Sequence, residues 1–188
     1  PSPLAEAGEL AAGVWPAGAD RDSSGALCLS GVPVTEVVRR YGTPVLVLDA
    51  DDLRSRARDY VRAFTDPTGR TEVTIYYAGK AFLAAAVVAW LRDEGLGMDV
   101  CSGGELACVL AAGMPAERVL FHGNNKSRDE LRAALVAGVG RIVVDSHDEL
   151  DRLAALAHAE GVRAPVLIRV TLGVEAHTHE FIATAHED

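Results

Sequence analysis

The sequence predicts an α/β protein built on a parallel sheet, and three observations carry that prediction. From residue 72 onward, short β-rich runs, "EVTIYYA", "GMDVC", "RVLFHG", "RIVVD" and "PVLIRVTL", alternate with helical segments, which is the rhythm of repeated βα units. Ser-x-x-Glu spacings follow strand ends at Ser102–Glu105, Ser127–Glu130 and Ser146–Glu149, the pattern of a capping box that satisfies orphan N–H groups at a helix start. Glycines at Gly95, Gly113, Gly138 and Gly161 stand where helices close through a left-handed residue. Strand and helix in this alternation imply right-handed crossovers. Five such strands fit a doubly wound sheet or the first five strands of a (β/α)8 TIM barrel, and periodicity leaves both open.

Taken in order, residues 1–25 are rich in Ala, Gly, Pro, Ser and Asp without a sustained period and read as a poorly ordered or peripheral arm. The stretch "GALCLSGVPVTEVVRRYGTP" reads as a short strand and a helix stopped by Gly42 and Pro44. After it, "VLVLDADDLRSRARDYVRAF" reads as strand, Asp49 cap and helix. The parallel-sheet portion is placed at 49–188, with 26–48 as a module leading into it. In "YYAGKAF", Lys80 stands where a strand ends and the alanine-rich helical segment "FLAAAVVAWLRDEG" is about to begin. Turns there usually use small or capping residues, so a long cation invites a functional reading.

Function in either architecture collects at the C-terminal ends of the strands. Those ends carry Lys80, Asp99 with Cys101 and Ser102, His122 with Asn124, Asp145, and Arg169 with Thr171. Polar groups therefore converge on one rim, and a rim lysine serves as a base, a phosphate contact or a Schiff-base nucleophile. A Walker A loop is excluded because "TIYYAGKA" lacks the upstream glycine and the following Ser or Thr. The glycines of "GLGMDVCSGG" likewise miss the dinucleotide fingerprint and read as turn and packing residues.

Composition narrows the partners. With 49% apolar and 24% charged residues in 188, the chain is an ordinary globular sequence. A formal charge of −9 opposes nucleic-acid or anionic-membrane binding, which needs clustered Lys and Arg. The longest apolar run, Phe82 to Leu91, is short of the ~20 residues that span a bilayer. A cytoplasmic protein with a small-molecule partner is the expectation. Cys28, Cys101 and Cys108 form no C-x-x-C pair, so neither a disulfide framework nor a thiolate zinc site is indicated. In "EAHTHE", His177 and His179 share a face if extended, and Glu175 and Glu180 are nearby. A metal-dependent barrel hydrolase is therefore a minor alternative, although no H-E-x-x-H spacing exists and no metal is expected.

"YYAGKAF", "GMDVCSGGEL", "FHGNNKS", "VVDSHDEL" and "LIRVTLGVEAHTHEFIATAHED", in this order, resemble the N-terminal half of the diaminopimelate decarboxylase family from about Gly31 onward. The resemblance implies an alanine racemase-like, fold type III enzyme: a (β/α)8 barrel binding pyridoxal 5′-phosphate, joined to a β-domain to which residues 26–48 contribute. It implies decarboxylation of meso-2,6-diaminopimelate to L-lysine, the last step of lysine biosynthesis, by a homodimer with shared active sites. Lys80 then matches the lysine that holds the cofactor as a Schiff base, and Asp99, Arg169 and His122 match residues of the cofactor pocket. An ornithine or arginine decarboxylase of the same fold type is the nearest alternative. The chain reaches Asp188 before the family's ring-stacking histidine, phosphate loop and substrate-specificity residues. It is therefore expected to be an N-terminal portion of the enzyme, inactive by itself.

Overall fold

The computed structural model describes residues 8–11, 13–65, 68 and 73–170, which fall into two compact units dividing between Val73 and Thr74. In the first, β1 (Ala19–Arg21), β2 (Leu27–Leu29) and β3 (Val32–Pro33) form an antiparallel sheet in chain order. Ala19 faces Leu29 and Arg21 faces Leu27. The intervening turn is built by Asp22, whose carboxylate accepts from the N–H groups of Ser24 and Ala26 at 2.8 and 3.0 Å. The Ser24 hydroxyl and these N–H groups hold the Asp22 carboxyl below the usual carboxylate range. β1 lies within residues 1–25, which the sequence reading leaves as a poorly ordered or peripheral arm. A turn satisfied by its own side chain fixes a short strand without needing an apolar period.

α1 (Val34–Tyr41) stops at Gly42, whose φ is 77°. α2 (Ala50–Phe64) starts at Asp49, whose carboxylate accepts from Asp51 and Asp52 N–H at 3.0 and 3.1 Å. By its contacts α2 belongs to the first unit, whereas the sequence reading starts the barrel portion at residue 49.

The second unit holds β4 (Tyr76–Ala78), β5 (Gly97–Val100), β6 (Val119–Phe121), β7 (Arg141–Val144) and β8 (Val166–Ile168). They form one parallel sheet in the order β4-β5-β6-β7-β8. α3 (Ala85–Asp93), α4 (Gly103–Ala111), α5 (Arg128–Ala137) and α6 (His147–Glu160) supply the crossovers. Strictly sequential order decides between the two architectures that periodicity leaves open. A doubly wound sheet reverses direction at a switch point, and a barrel does not. These are five successive strands of the (β/α)8 architecture.

Met98, Val100, Val119, Phe121 and Ile142 of the strands and Val88, Val109, Leu131 and Leu153 of the helices are all buried. At about 1.5–3 kcal/mol for each large side chain taken out of water, this layer holds the strand ends in place. One of the three Ser-x-x-Glu spacings is a reciprocal capping box, Ser127 with Glu130. At the other two the serine accepts as expected, from Glu105 N–H at 3.3 Å and Glu149 N–H at 3.2 Å. The glutamates reach one residue further back. Glu105 Oε2 takes the Cys101 N–H at 2.7 Å, and Glu149 Oε2 takes the Asp145 N–H at 2.9 Å. Both therefore anchor the residue that follows a strand, on the rim. Among the described residues no helix is long and apolar enough to cross a membrane.

Candidate active site

The rim is assembled strand by strand. β4 runs into a 3-10 turn, Gly79–Ala81, that carries Lys80. Gly79 is buried, and a Cβ there would lie 3.1 Å from the Asp99 carbonyl oxygen and 3.6 Å from Glu105 Oε2. The lysine turn thus packs directly on the end of β5. On its other side the Tyr77 hydroxyl donates to the Phe82 carbonyl at 3.1 Å, spanning the turn. Burial pushes the Tyr77 phenol up, which keeps that donor protonated at neutral pH. Lys80 itself is exposed at the mouth.

Asp99 sits opposite Ala78 and Leu120 in the sheet register. The His122 N–H continues the ladder to the Val100 carbonyl at 2.7 Å, which turns the imidazole toward β5. Its Nδ1 is 2.5 Å from Asp99 Oδ1. A carboxylate only accepts, so Nδ1 is the protonated nitrogen and Nε2 is left for other partners. Arg169 follows β8; its N–H donates to the Val144 carbonyl at 3.0 Å, and Nη1 lies 3.6 Å from Asp145 Oδ1.

Lys80, Asp99, Cys101, His122, Gly123, Asn124 and Arg169 line one cleft of about 430 Å³. The four residues singled out from sequence, Lys80, Asp99, His122 and Arg169, thus meet in a single space. Asp145 does not line it but pairs with Arg169. Ser102 serves as the N-cap of α4. Cys101 faces the cleft with its thiol pushed up by burial and then by the Asp99 and Glu105 charges, so at neutral pH it is a protonated wall residue rather than a nucleophile. Thr171, Glu175, His177, His179 and Glu180 lie outside the described residues. Among the described residues no cluster of three or more His, Cys, Asp or Glu is placed to hold a metal ion.

Sequence reasoning missed the most buried charge of the region. It is Lys126 in "HGNNKS", which the motif alone does not single out. Its side chain is 1% exposed and pairs with Glu149, itself 2% exposed, at 2.8 Å. The signal available was a lysine directly before the N-cap Ser127 of a helix with a capping glutamate at Glu130; nothing in it specifies burial.

A primary amine at the mouth, an imidazole oriented by a carboxylate, and a guanidinium held by a second carboxylate form a donor set suited to an anionic, aldehyde-bearing ligand. An amine reacts with an aldehyde, and a guanidinium binds anionic oxygens.

Residues 50–188 match the family described as "Pyridoxal-dependent decarboxylase, pyridoxal binding domain". The chain is 52% identical over 179 residues to the diaminopimelate decarboxylase of Mycobacterium tuberculosis, covering 95% of this chain and 39% of that protein. It superposes on a crystal structure of diaminopimelate decarboxylase from M. jannaschii with a TM-score of 0.81 at 28% identity, covering 87% of this chain and 38% of that one. The enzyme from Helicobacter pylori complexed with L-lysine gives a TM-score of 0.73 at 29% identity, over 81% of this chain and 38% of that one. The chain therefore spans well under half the length of these relatives.

Proposed function

The chain belongs to the pyridoxal-dependent decarboxylase family through that family's pyridoxal-binding domain, and from this premise we propose that it is part of a diaminopimelate decarboxylase. The reaction is removal of CO2 from meso-2,6-diaminopimelate to give L-lysine, with pyridoxal 5′-phosphate as cofactor. The observation that carries the reading is Lys80, projecting from the turn after β4 into the cleft that also holds Asp99, His122 and Arg169. High identity to a diaminopimelate decarboxylase favours this substrate over ornithine or arginine, and it favours a decarboxylase over a metal-dependent hydrolase. The resemblance of the motifs also supports a cytoplasmic homodimer with shared sites, a state that light scattering reads directly.

When bound, the cofactor supplies an electron sink for the charge left as CO2 departs. Lys80 contributes the amine that holds it, and the turn fixed between Gly79 and the Tyr77–Phe82 bond limits where Nζ can reach. The Lys80 amine, exposed at the mouth of the cleft, would also serve there as a proton carrier. Asp99 fixes His122 so that Nε2 is the available nitrogen. Arg169, braced by Asp145, offers a fixed positive charge to oxygens of the ligand.

The test is chemical. Borohydride reduction of the full-length protein with pyridoxal phosphate should place the pyridoxyl group on Lys80. Lys80→Ala should abolish labelling and lower CO2 release from diaminopimelate by orders of magnitude. Arginine should not rescue it, because a guanidinium stays protonated. A label on another lysine, or normal turnover in the alanine variant, overturns the reading.

A further inference from the structure

Lys126 and Glu149 play no part in the cleft itself, yet they form the one ion pair among the described residues with both side chains nearly sealed from water. Nζ donates to two backbone carbonyls and stands in ion-pair contact with one carboxylate oxygen that takes no hydrogen bond, the three oxygens coming from three segments. They are the Gly123 carbonyl in the loop after β6, the Val143 carbonyl of β7 at 2.8 Å, and Glu149 Oε1 on α6 at 2.8 Å. The other oxygen of Glu149 takes the Asp145 N–H at 2.9 Å, and the Asp145 carboxylate faces Arg169 at 3.6 Å. On the β6 side, Gly123 follows His122 directly. It packs so closely that an added Cβ would lie 3.1 Å from the Cys101 carbonyl oxygen and 3.6 Å from Lys126 Cγ.

A buried pair of this kind is a poor way to gain stability. Desolvating both charges costs about as much as their attraction returns, and apolar residues of equal volume often do as well or better. What an apolar pair does not do is tie a loop carbonyl, a strand carbonyl and a helix side chain to one atom. We propose that Lys126 and Glu149 are positioning residues: their ion pair fixes the loops after β6 and β7 together and so sets His122 and, through Asp145, Arg169 against Lys80. This rests on the reading of the cleft as the cofactor site.

The test uses the full-length protein and compares Lys126→Met, Glu149→Gln and the double variant Lys126→Met with Glu149→Met. Three quantities are read: the melting temperature without cofactor, hydrogen exchange over residues 121–128 and 143–150, and the equilibrium affinity for pyridoxal phosphate. Each single variant should speed exchange in both segments and weaken cofactor binding by about tenfold or more, the scale on which supporting residues act. The double variant should regain the melting temperature but neither the exchange protection nor the affinity. If the double variant regains all three, the pair is packing alone and the proposal fails. It fails equally if the single variants leave exchange and affinity unchanged. Should the variants not fold, exchange in the unaltered protein decides: the two segments must open as one unit, and independent opening overturns the proposal. An unaltered protein that takes up no pyridoxal phosphate sinks the functional reading instead, and the exchange arm still judges the pair.

Discussion

Glu130 holds two rim loops with one carboxylate, and removing it should cost more than a surface glutamate is worth. Its Oε1 accepts from Gly103 N–H at 2.7 Å, at the first residue of α4, and its Oε2 accepts from Ser127 N–H at 2.8 Å, the N-cap of α5. Both donors are helix-start groups with no intrahelical partner. Glu130→Ala strands both. A hydrogen bond to a charged acceptor is worth about 1.5–3 kcal/mol net, and water reaches this partly exposed site, so the loss is set at about 2–4 kcal/mol for the pair after allowing for screening. That is a large share of the about 5–15 kcal/mol that holds a domain together. Glu130→Gln keeps a single accepting oxygen and turns its NH2 toward the other N–H, so it should lose at least half as much.

The pH dependence gives the same argument a second handle. The Ser127 and Gly103 N–H groups hold the Glu130 carboxyl below its ordinary value. A group whose folded pKa is depressed contributes stability that is complete above its unfolded pKa, about 4.3–4.5, and is lost as pH falls through the lower folded value. Urea midpoints of the cofactor-free full-length protein and of Glu130→Ala should therefore differ widely at pH 7 and converge on acidification below about pH 4.5. A difference within about 0.5 kcal/mol at pH 7, or one that persists undiminished in acid, refutes the reasoning.

Two further predictions concern the cleft. Asp99→Asn keeps the size of the side chain but removes the charge that holds the His122 tautomer, so cofactor affinity and turnover should fall with little change in melting temperature. A loss of stability with normal turnover per folded molecule would assign Asp99 to the scaffold instead. Gly79→Ala places a methyl 3.1 Å from the Asp99 carbonyl oxygen, shifting the Lys80 turn by a few tenths of an ångström. It should slow formation of the coloured cofactor complex about tenfold or more while costing about 1–3 kcal/mol of stability, and unaltered kinetics of uptake would show that the turn is not held where the structure has it.

Much of this rim was legible in the sequence because strand ends are local facts. A β-branched run, a polar residue and a capping serine in succession mark the C-terminal end of a strand in a βα unit, and a parallel sheet then brings all such ends to one side. Strand ends put Lys80, Asp99, His122 and Arg169 among the rim residues, and the family resemblance singled these four out. Strand order was not legible, because alternation is common to barrels and doubly wound sheets; only the register of β4 through β8 separates them. The β1 strand was hidden for a different reason: it depends on the Asp22 turn rather than on apolar spacing.

The partners of the glutamates were the least legible feature, and the reason bears on the chemistry. Glu105, Glu130 and Glu149 occupy the same place in three equivalent motifs, yet their carboxylates go to Cys101, to Ser127 and Gly103, and to Asp145 with Lys126. Spacing fixes only that a carboxylate stands one turn into a helix; which N–H it meets depends on how closely the preceding strand end approaches, a tertiary distance. At Glu149 that approach leaves one oxygen facing the buried Lys126 amine, a charge that would be costly there without it. A repeated motif has thus been put to three uses, each tied to a rim loop beside the residues proposed to bind the cofactor. Variants at two of these positions should consequently differ in kind: Glu130→Ala should act first on stability, and Glu149→Gln first on the geometry of the cleft.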